Sequence, residues 1–377
     1  MAQFINGRAF KPSDWSPEGL PIIRIQNLTD PSSPANRFKG DFDKRYAIRD
    51  GDLLVSWSAT LDVFIWDRGD AILNQHIFHV IPDGSIIRKQ YLFYALKSVM
   101  DELRSKTHGS TMKHITKGPF ERTTILVPPL KEQDRIVNVL NEAVALQTIR
   151  AEASRRTNDL VPALHHQSFD DPASKKWARH RFGDKSILQV IDGDRGSNYP
   201  NKSDFSDEGY CLFLNTSNVR KGAFDFSKCD FITRDKDAAL RKGKLERGDV
   251  ILTTRGTVGN SAHYGHEIKF KNARINSGMV ILRVDAAKLL PEYLLLILNS
   301  DEFTDQVNAM TSGSAQPQLP INRLSLMTLV LPPLSLQKKL VQRVSEIRGF
   351  EADQDASRRR LDDLFNSLLH KAFNGEL

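Results

Sequence analysis

Cysteine is almost absent from this chain. Its 377 residues include only Cys211 and Cys229, which form no CxxC pair. Neither a disulfide framework nor a thiolate metal site is expected, and a reducing compartment, the cytoplasm, fits. Long apolar runs are missing too. The richest stretch, LLPEYLLLIL at 289–298, is interrupted by Pro291 and Glu292 and falls short of the roughly 20 apolar residues of a membrane helix. The opening MAQFINGRAF lacks the apolar core of a signal peptide, so no membrane role is expected. Catalytic signatures are equally scarce. There is no GxGxxG or Walker A loop to cradle phosphate. His266-Glu267 has no second histidine to make a zincin pair, and His108 and His114 have no cysteine or carboxylate nearby. Glu267-Ile268-Lys269 resembles the tail of a nuclease carboxylate motif but lacks the upstream Pro-Asp. Both Pro-Pro pairs follow Val or Leu and precede Leu, unlike the Asn/Asp-Pro-Pro-aromatic motif of amino-methyltransferases. The expectation is a non-catalytic chain that binds no metal or cofactor itself.

What is present is a repeat. TILVPPLKEQDRIVNVL at 124–140 reappears as TLVLPPLSLQKKLVQRV at 328–344, a separation of 204 residues. At the same separation His108-Gly109-Ser110 answers Ser312-Gly313-Ser314, Gln133 answers Gln337 and Phe169 answers Phe373. With small slips the match continues upstream. Asn74 answers Asn276, QYLFYALKS (90–98) answers EYLLLILNS (292–300), and Gly51-Asp52-Leu53-Leu54 answers Gly248-Asp249-Val250-Ile251. Collinear blocks with small insertions between them indicate two copies of one unit. Hydrophobic content of 40% and charged content of 26% support globular cores. The formal net charge of +7 suits an anionic partner, nucleic acid being the commonest, although a solubility charge alone fits as well.

Each copy reads as strands followed by a long helix. RDGDLLVSW and ERGDVILTT place a Gly-Asp turn before a β-branched run, and AILNQHIFHVI and RINSGMVILRV look like further strands. Short helices are expected at QYLFYALKSVMDELRSK and PEYLLLILNSDEFTDQVNAM. TILV and TLVL, held extended by the prolines after them, precede long helices over 130–169 and 334–377. Forty helical residues would span about 60 Å. Such a helix packs on its own globular part or pairs with its counterpart. Pairing is favoured because a solitary helix of that length has little support. The pairing stripe is Ile136, Leu140, Val144 and Leu164 in the first copy, and Leu340, Val344, Leu361, Phe365 and Leu368 in the second.

At this point the residues carry a likeness. The GDVILTTRGTVGN run (248–260), the GSAQPQL run (313–319) and the PPL-x-x-Q-x-x-[LI] helix starts lie in order. Together the chain resembles the specificity subunit of type I restriction–modification enzymes over essentially its whole length. The likeness implies an α+β fold: two pseudo-symmetric, strand-rich target recognition domains separated by two long helices that pair as an antiparallel coiled coil. The expected boundaries are 1–129, 130–169, a linker at 170–176, 177–333 and 334–377. It implies double-stranded DNA, two methyltransferase subunits and motor-nuclease restriction subunits as partners. S-adenosylmethionine, ATP and Mg2+ would belong to those partners. A duplicated scaffold that reads no DNA, and a solitary specificity protein without an active nuclease, are the alternatives.

DNA reading calls for cations on phosphate and for Arg or amide groups on base edges. In the second copy Thr254, Arg255 and Thr257 follow a strand directly, with Gly256 allowing close backbone approach. Asn276 opens the next strand, Ser314, Gln316 and Gln318 form a small polar loop, and Arg195, Asn198, Lys202, Asn218, Arg220 and Lys221 add charge and amides. The first copy offers Arg24, Gln26, Asn27, Arg37, Lys39, Asn74, Ser110 and Lys113. Where the second copy has TTRGT, the first has SWSAT, so Ser56, Ser58 and Thr60 are candidates but the Arg and Gly are gone; Trp57 is read as core or as a groove wedge. A second departure is KWARHRFGDKSILQV (176–190), which precedes Ile191-Asp192-Gly193, whereas the first copy starts near the equivalent Ile5-Asn6-Gly7. An opening strand is missing there, either trimmed or supplied from elsewhere.

Overall fold

The computed structural model describes residues 1–58, 60–106, 124–164, 176–311 and 317–377, with backbone alone at 101–106. The chain divides into two compact units: unit 1, Met1–Ala153 with Gln354–Leu377, and unit 2, Ser154–Asp353.

Unit 1 is built on a four-stranded sheet of order β1-β8-β5-β6, with β1 at Ala2–Asn6, β5 at Leu53–Ser56, β6 at Asp62–Ile65 and β8 at Ile77–Pro82. Strand β5 is fully buried, so both its faces are covered. The period of two divides its side chains between two cores. Leu53 and Val55 face a core with Tyr91, Leu92 and Met100 of helix α2 (Lys89–Lys106). Leu54 joins Ile23, Ile48 and Leu73 of a second, small sheet of order β3-β2-β7-β4 (Arg37–Phe38, Leu20–Ile23, Ala71–Leu73, Ala47–Ile48). The Gly-Asp signal before β5 has a local cause. Gly51 has φ 86°, a conformation that favours glycine, and the Asp52 carboxylate accepts the Arg49 N–H at 2.8 Å.

Unit 2 repeats this plan. Its main sheet has order β10-β18-β15-β16, with β10 at Leu188–Asp192, β15 at Val250–Thr253, β16 at Ser261–His263 and β18 at Met279–Val284. Val250 and Leu252 face a helical core with Tyr293 and Leu294, whereas Ile251 faces a core with Leu212 and Ile275. The small sheet has order β14-β11-β17 (Phe231–Ile232, Cys211–Leu214, Ala273–Ile275), and its β11–β17 pair is parallel, as is the β2–β7 pair of unit 1. Gly248 has φ 96°, and Asp249 accepts the Glu246 N–H at 2.7 Å, restating the turn before β5. One difference lies in the helices. The continuous α2 is replaced by Pro291–Leu298 and Asp301–Met310, because the Ser300 hydroxyl accepts the Phe303 N–H and starts a new helix.

The PPLxxQ signature turns out to be a clamp. Gln133 and Gln337 are both 0% exposed. The Gln133 amide donates to the Pro128 and Ile86 carbonyls and accepts from the Arg88 N–H. Gln337 makes the same set with Pro332, Lys288 and Leu290. In each copy the glutamine ties the extended segment before the prolines to the turn that opens the preceding helix. Ala in its place would strand buried backbone groups at about 1–3 kcal/mol each.

The helices after the prolines are α3, Leu130–Asn158, and α8, Leu334–Asn374. Helix α3 is shorter than the 130–169 expected. Asp159 forms a turn and 160–164 are helical again. Pro162 lacks the N–H that would bond residue 158, and its ring crowds that carbonyl, so the break falls one turn earlier. Residues 165–169 lie outside the described residues. Within unit 1, Ile136 and Leu140 share a buried core with Leu369 and Ala372, and Phe365 and Leu368 pack against it. The Gln147 amide donates to Asp362 at 2.8 Å, while Tyr94 both donates to Asn141 and lies against Phe365. Positions rise along α3 as they fall along α8, the antiparallel sense expected of these helices. Val144 is a correction: it is 36% exposed and does not continue the stripe. Leu361 is half-buried. Within unit 2, Leu340 and Val344 are buried, and Leu164 packs on the core that holds Leu340.

Candidate nucleic-acid interface

In unit 2 the loops that follow successive strands converge at one end of the two sheets. After β15, Thr253 accepts the Gly259 N–H, while the Thr254 and Arg255 N–H groups both donate to the Gly278 carbonyl. This turn needs Gly256 and Gly259, with φ of 70° and 94°. Gly278 lies between Asn276 and Met279 in the β17–β18 turn, held by the Asn276 carboxamide at 2.9 Å. Asn276 in turn reaches Asn215 at 3.4 Å, and the Tyr199 hydroxyl accepts the Ser277 N–H at 3.3 Å. Leu319 donates its N–H to the Thr254 carbonyl, and Arg255 bridges Gln318, which joins residues 317–319 to the same cluster. The turn at 194–196 is fixed by Asp194, which accepts the Gly196, Arg241 and Lys242 N–H groups. Those bonds, that of Gly196 foremost, hold its carboxyl below the usual range against the opposing effect of burial.

Arg255 and Thr257 are exposed, and the Arg255 guanidinium has no hydrogen-bond or ion-pair partner among the described residues. Lys202 and Lys221 are likewise exposed and free of ion pairs. Arg195 is exposed, 3.1 Å from Asp192 and 3.4 Å from the Ser277 carbonyl. Arg220 is tied to Asp225 at 3.0 Å, and Ser227, then Arg220, hold the Asp225 carboxyl at about 2. Asn198 is exposed and donates to the Ala239 carbonyl at 3.2 Å.

Several sequence candidates serve the scaffold instead. Thr254 is 4% exposed and its hydroxyl donates to the Gly278 carbonyl. Asn218 is 3% exposed; it accepts the Asn215 N–H and donates to the Asp225 and Lys228 carbonyls. Asn27 is its counterpart in unit 1, 2% exposed, accepting the Arg24 N–H and donating to the Ser33 carbonyl. Ser56 and Ser58 are 0% and 6% exposed. All five side chains point into the protein, because short polar groups that follow a strand close local turns as readily as they meet a ligand. Ser110, Lys113, Ser314 and Gln316 lie outside the described residues.

The corresponding end of unit 1 is poorer in free charge. Thr60 and Gln26 are exposed and Arg24 is half-buried. Arg37 donates to the Gly19 carbonyl at 2.7 Å, and Lys39 pairs with Glu18 at 2.7 Å. Trp57 packs on the helical core, stacked on Phe78 and edge-on to His76, which answers the wedge alternative with a core role. His76 occupies the place of Gly278, with φ 72°, and its carbonyl accepts the Trp57 N–H. The Trp57 Nε1, Asn74 Oδ1 and His76 Nδ1 atoms are buried without a partner, an unusual concentration of unmet hydrogen-bonding capacity. Asn215, Thr216 and Tyr199, which are not among the candidates read from sequence, belong to the unit 2 cluster. Their neighbours, Ser277, Asn276 and Gly278, lie some sixty to eighty residues away. Among the described residues no cluster of His, Cys, Asp and Glu could hold a metal ion, and no helix is long and apolar enough to cross a membrane.

Two copies of one sheet-and-helix body, with strand-end loops gathered at one end of the sheets in unit 2, define a duplicated α+β protein. The family model for the type I restriction modification DNA specificity domain matches twice, over 1–157 and 182–352. The chain belongs to that family. It is 21% identical over its whole length to the type I restriction enzyme EcoBI specificity subunit of Escherichia coli, covering 84% of that protein. It is 22% identical to the MjaVIII specificity subunit of Methanocaldococcus jannaschii, covering all of this chain and 90% of the relative. A chain from a structural study of type I R-M complex assembly and conformational transition superposes with a TM-score of 0.67 at 19% identity, covering 100% of this chain and 98% of the other. The S subunit from M. genitalium gives 0.53 at 16% identity, covering 99% and 93%.

Proposed function

We propose that each unit reads one half of a bipartite double-stranded DNA target through its strand-end loops, and that the helical segments set the unread spacer. The observation that supports this most is the placement of Arg255. It is exposed and unpaired at the tip of a glycine-dependent turn, inside a cluster of amides and hydroxyls, the combination that recognises guanine bidentately. The paired helices dock two methyltransferase subunits, which carry the methyl donor and flip the target adenine. Restriction subunits, with ATP and Mg2+, join through them, and this chain contributes address rather than chemistry. Mapping methylated bases in cells with and without the gene tests the reading: a bipartite methyladenine motif disappears with the gene. A scaffold that reads no DNA requires instead that charge reversal at Arg255 and Lys221 leave DNA binding by the assembled complex unchanged. The spacer role has its own test. Four residues inserted into both 153–160 and 350–357 lengthen each helix by about 6 Å, which at roughly 3.4 Å per base pair widens the preferred spacer by about one or two pairs; an unchanged spacer refutes it.

A further inference from the structure

The two copies differ at one strand edge. In unit 2, Thr328–Leu331 (β19) pairs antiparallel with Ala178–Arg181 (β9). The other edge of β19 is already engaged: Thr328 exchanges hydrogen bonds with the Gln306 amide, and the Val330 carbonyl accepts from the Tyr293 hydroxyl. Alternation along a strand therefore turns the Leu329 and Leu331 backbone groups toward β9. Beyond β9 the chain is anchored by Phe182, which is 0% exposed, donates its N–H to the Met327 carbonyl and sits 5.6 Å from the Phe303 ring.

Residues 124–127 of unit 1 occupy the place of β19. The Leu126 carbonyl accepts from the Tyr91 hydroxyl at 2.9 Å, as Val330 does from Tyr293, and Pro128 accepts from Gln133 as Pro332 does from Gln337. Yet these residues form no strand. No backbone group of Ile125 or Val127 has a hydrogen-bond partner among the described residues. Leu126 and Val127 are 48% and 38% exposed, whereas Val330 is 6% exposed. Natural edges are usually covered, shortened or charged; this one, Thr-Ile-Leu-Val, is uncharged and unpaired among the described residues.

We propose that 124–127 is an acceptor edge for an antiparallel strand supplied by a polypeptide partner, with the chemistry of Ala178–Phe182: exposed basic residues ending in an aromatic anchor. The chain itself carries the argument for this occupant, because the near-identical edge in unit 2 is filled by that sequence. The mode is strand addition, in which backbone bonds give affinity and alternate side chains give selectivity.

The test is residue-resolved amide hydrogen exchange on the full chain with a synthetic peptide of sequence 176–187, a scrambled peptide serving as control. The expected result is about tenfold slower exchange at the Ile125 and Val127 amides, with no effect from the scrambled peptide. Val127→Pro removes an outward N–H at an exposed site, and the Ile125 protection is lost with it. Because a short free peptide binds weakly, the same sequence is also joined ahead of Met1 of the full chain, which raises its effective concentration to about millimolar. No protection in that fusion, or protection undiminished by Val127→Pro, overturns the proposal. Dimerisation of the unmodified chain that Val127→Pro abolishes overturns the assignment to a different polypeptide and names a second copy as donor.

Discussion

Units 1 and 2 share sheet order, a parallel pair in the small sheet, the Gly-Asp turn and the glutamine clamp, yet they differ where they meet the outside. Unit 2 offers Arg255 on a turn that only glycines at 256 and 259 permit. Unit 1 offers Thr60 at the matching turn, with Trp57 half-buried against the core and Ser58 buried. What the copies keep are groups whose loss would strand buried backbone partners, and what they vary are groups whose loss costs the fold little. That is the pattern expected when one scaffold carries two different addresses.

The largest expected effect separates the units by stability. In unit 2, Arg274 and Asp237 are 4% and 3% exposed and bonded to each other, with Lys244 also on Asp237. Burial pushes the Asp237 carboxyl up, but the bonds from Lys244 and Arg274 prevail and hold it low. Asp237→Ala leaves Arg274 buried and unpaired and costs about 3–5 kcal/mol. Calorimetry should show the unit 2 transition falling while that of unit 1 stays in place; a uniform shift would show that the units do not melt separately. Next in size, Gln133→Ala and Gln337→Ala, each stranding three backbone groups, should each cost about 3 kcal/mol in their own unit. Denaturant titration checks this, and a clear inequality would break the equivalence of the two clamps.

In binding, Arg255→Ala should lose about 1–3 kcal/mol of base discrimination at one half-site. Ser58→Ala, at the matching position, should leave both half-sites unchanged, as competition with substituted duplexes would reveal. The smallest effect concerns pH. Burial lowers the His79 imidazole from its ordinary value of 6.5, and the opposing pull of Asp52, 3.5 Å away, does not offset it. A depressed histidine contributes stability above its ordinary value, lost as pH falls through the folded value. Unit 1 should therefore weaken on the acid side of 6.5, and His79→Ile, matching Ile281 of unit 2, should flatten that slope in melts run across pH.

Much of the scaffold was legible because its signals are local. Gly51 and Gly248 marked turns, β-branched runs marked β5 and β15, and paired prolines marked the helix starts. The apolar spacing runs on past the end of helix α3 at Asn158 because Pro162 removes a backbone N–H without interrupting the pattern of apolar residues. The loop cluster of unit 2 is legible as a polar region but not residue by residue. Asn27, Asn218 and Thr254 look like base readers in sequence, yet each closes a turn whose partners only the fold brings near. Tyr199 is the converse case, since its hydroxyl meets a backbone group 78 residues away. The unpaired edge at 124–127 has no signal in its own residues, because Thr-Ile-Leu-Val reads like the filled edge Thr-Leu-Val-Leu at 328–331, and only the pairing of the latter with Ala178–Arg181 tells the two apart.

The central claim is that the two units read independently. Replacing residues 1–129 by the matching region of a family member with a different target, then mapping methylated bases in cells, tests it most directly. The account predicts a motif with one half-site changed, the other retained and the spacer preserved. A change in both half-sites would contradict it.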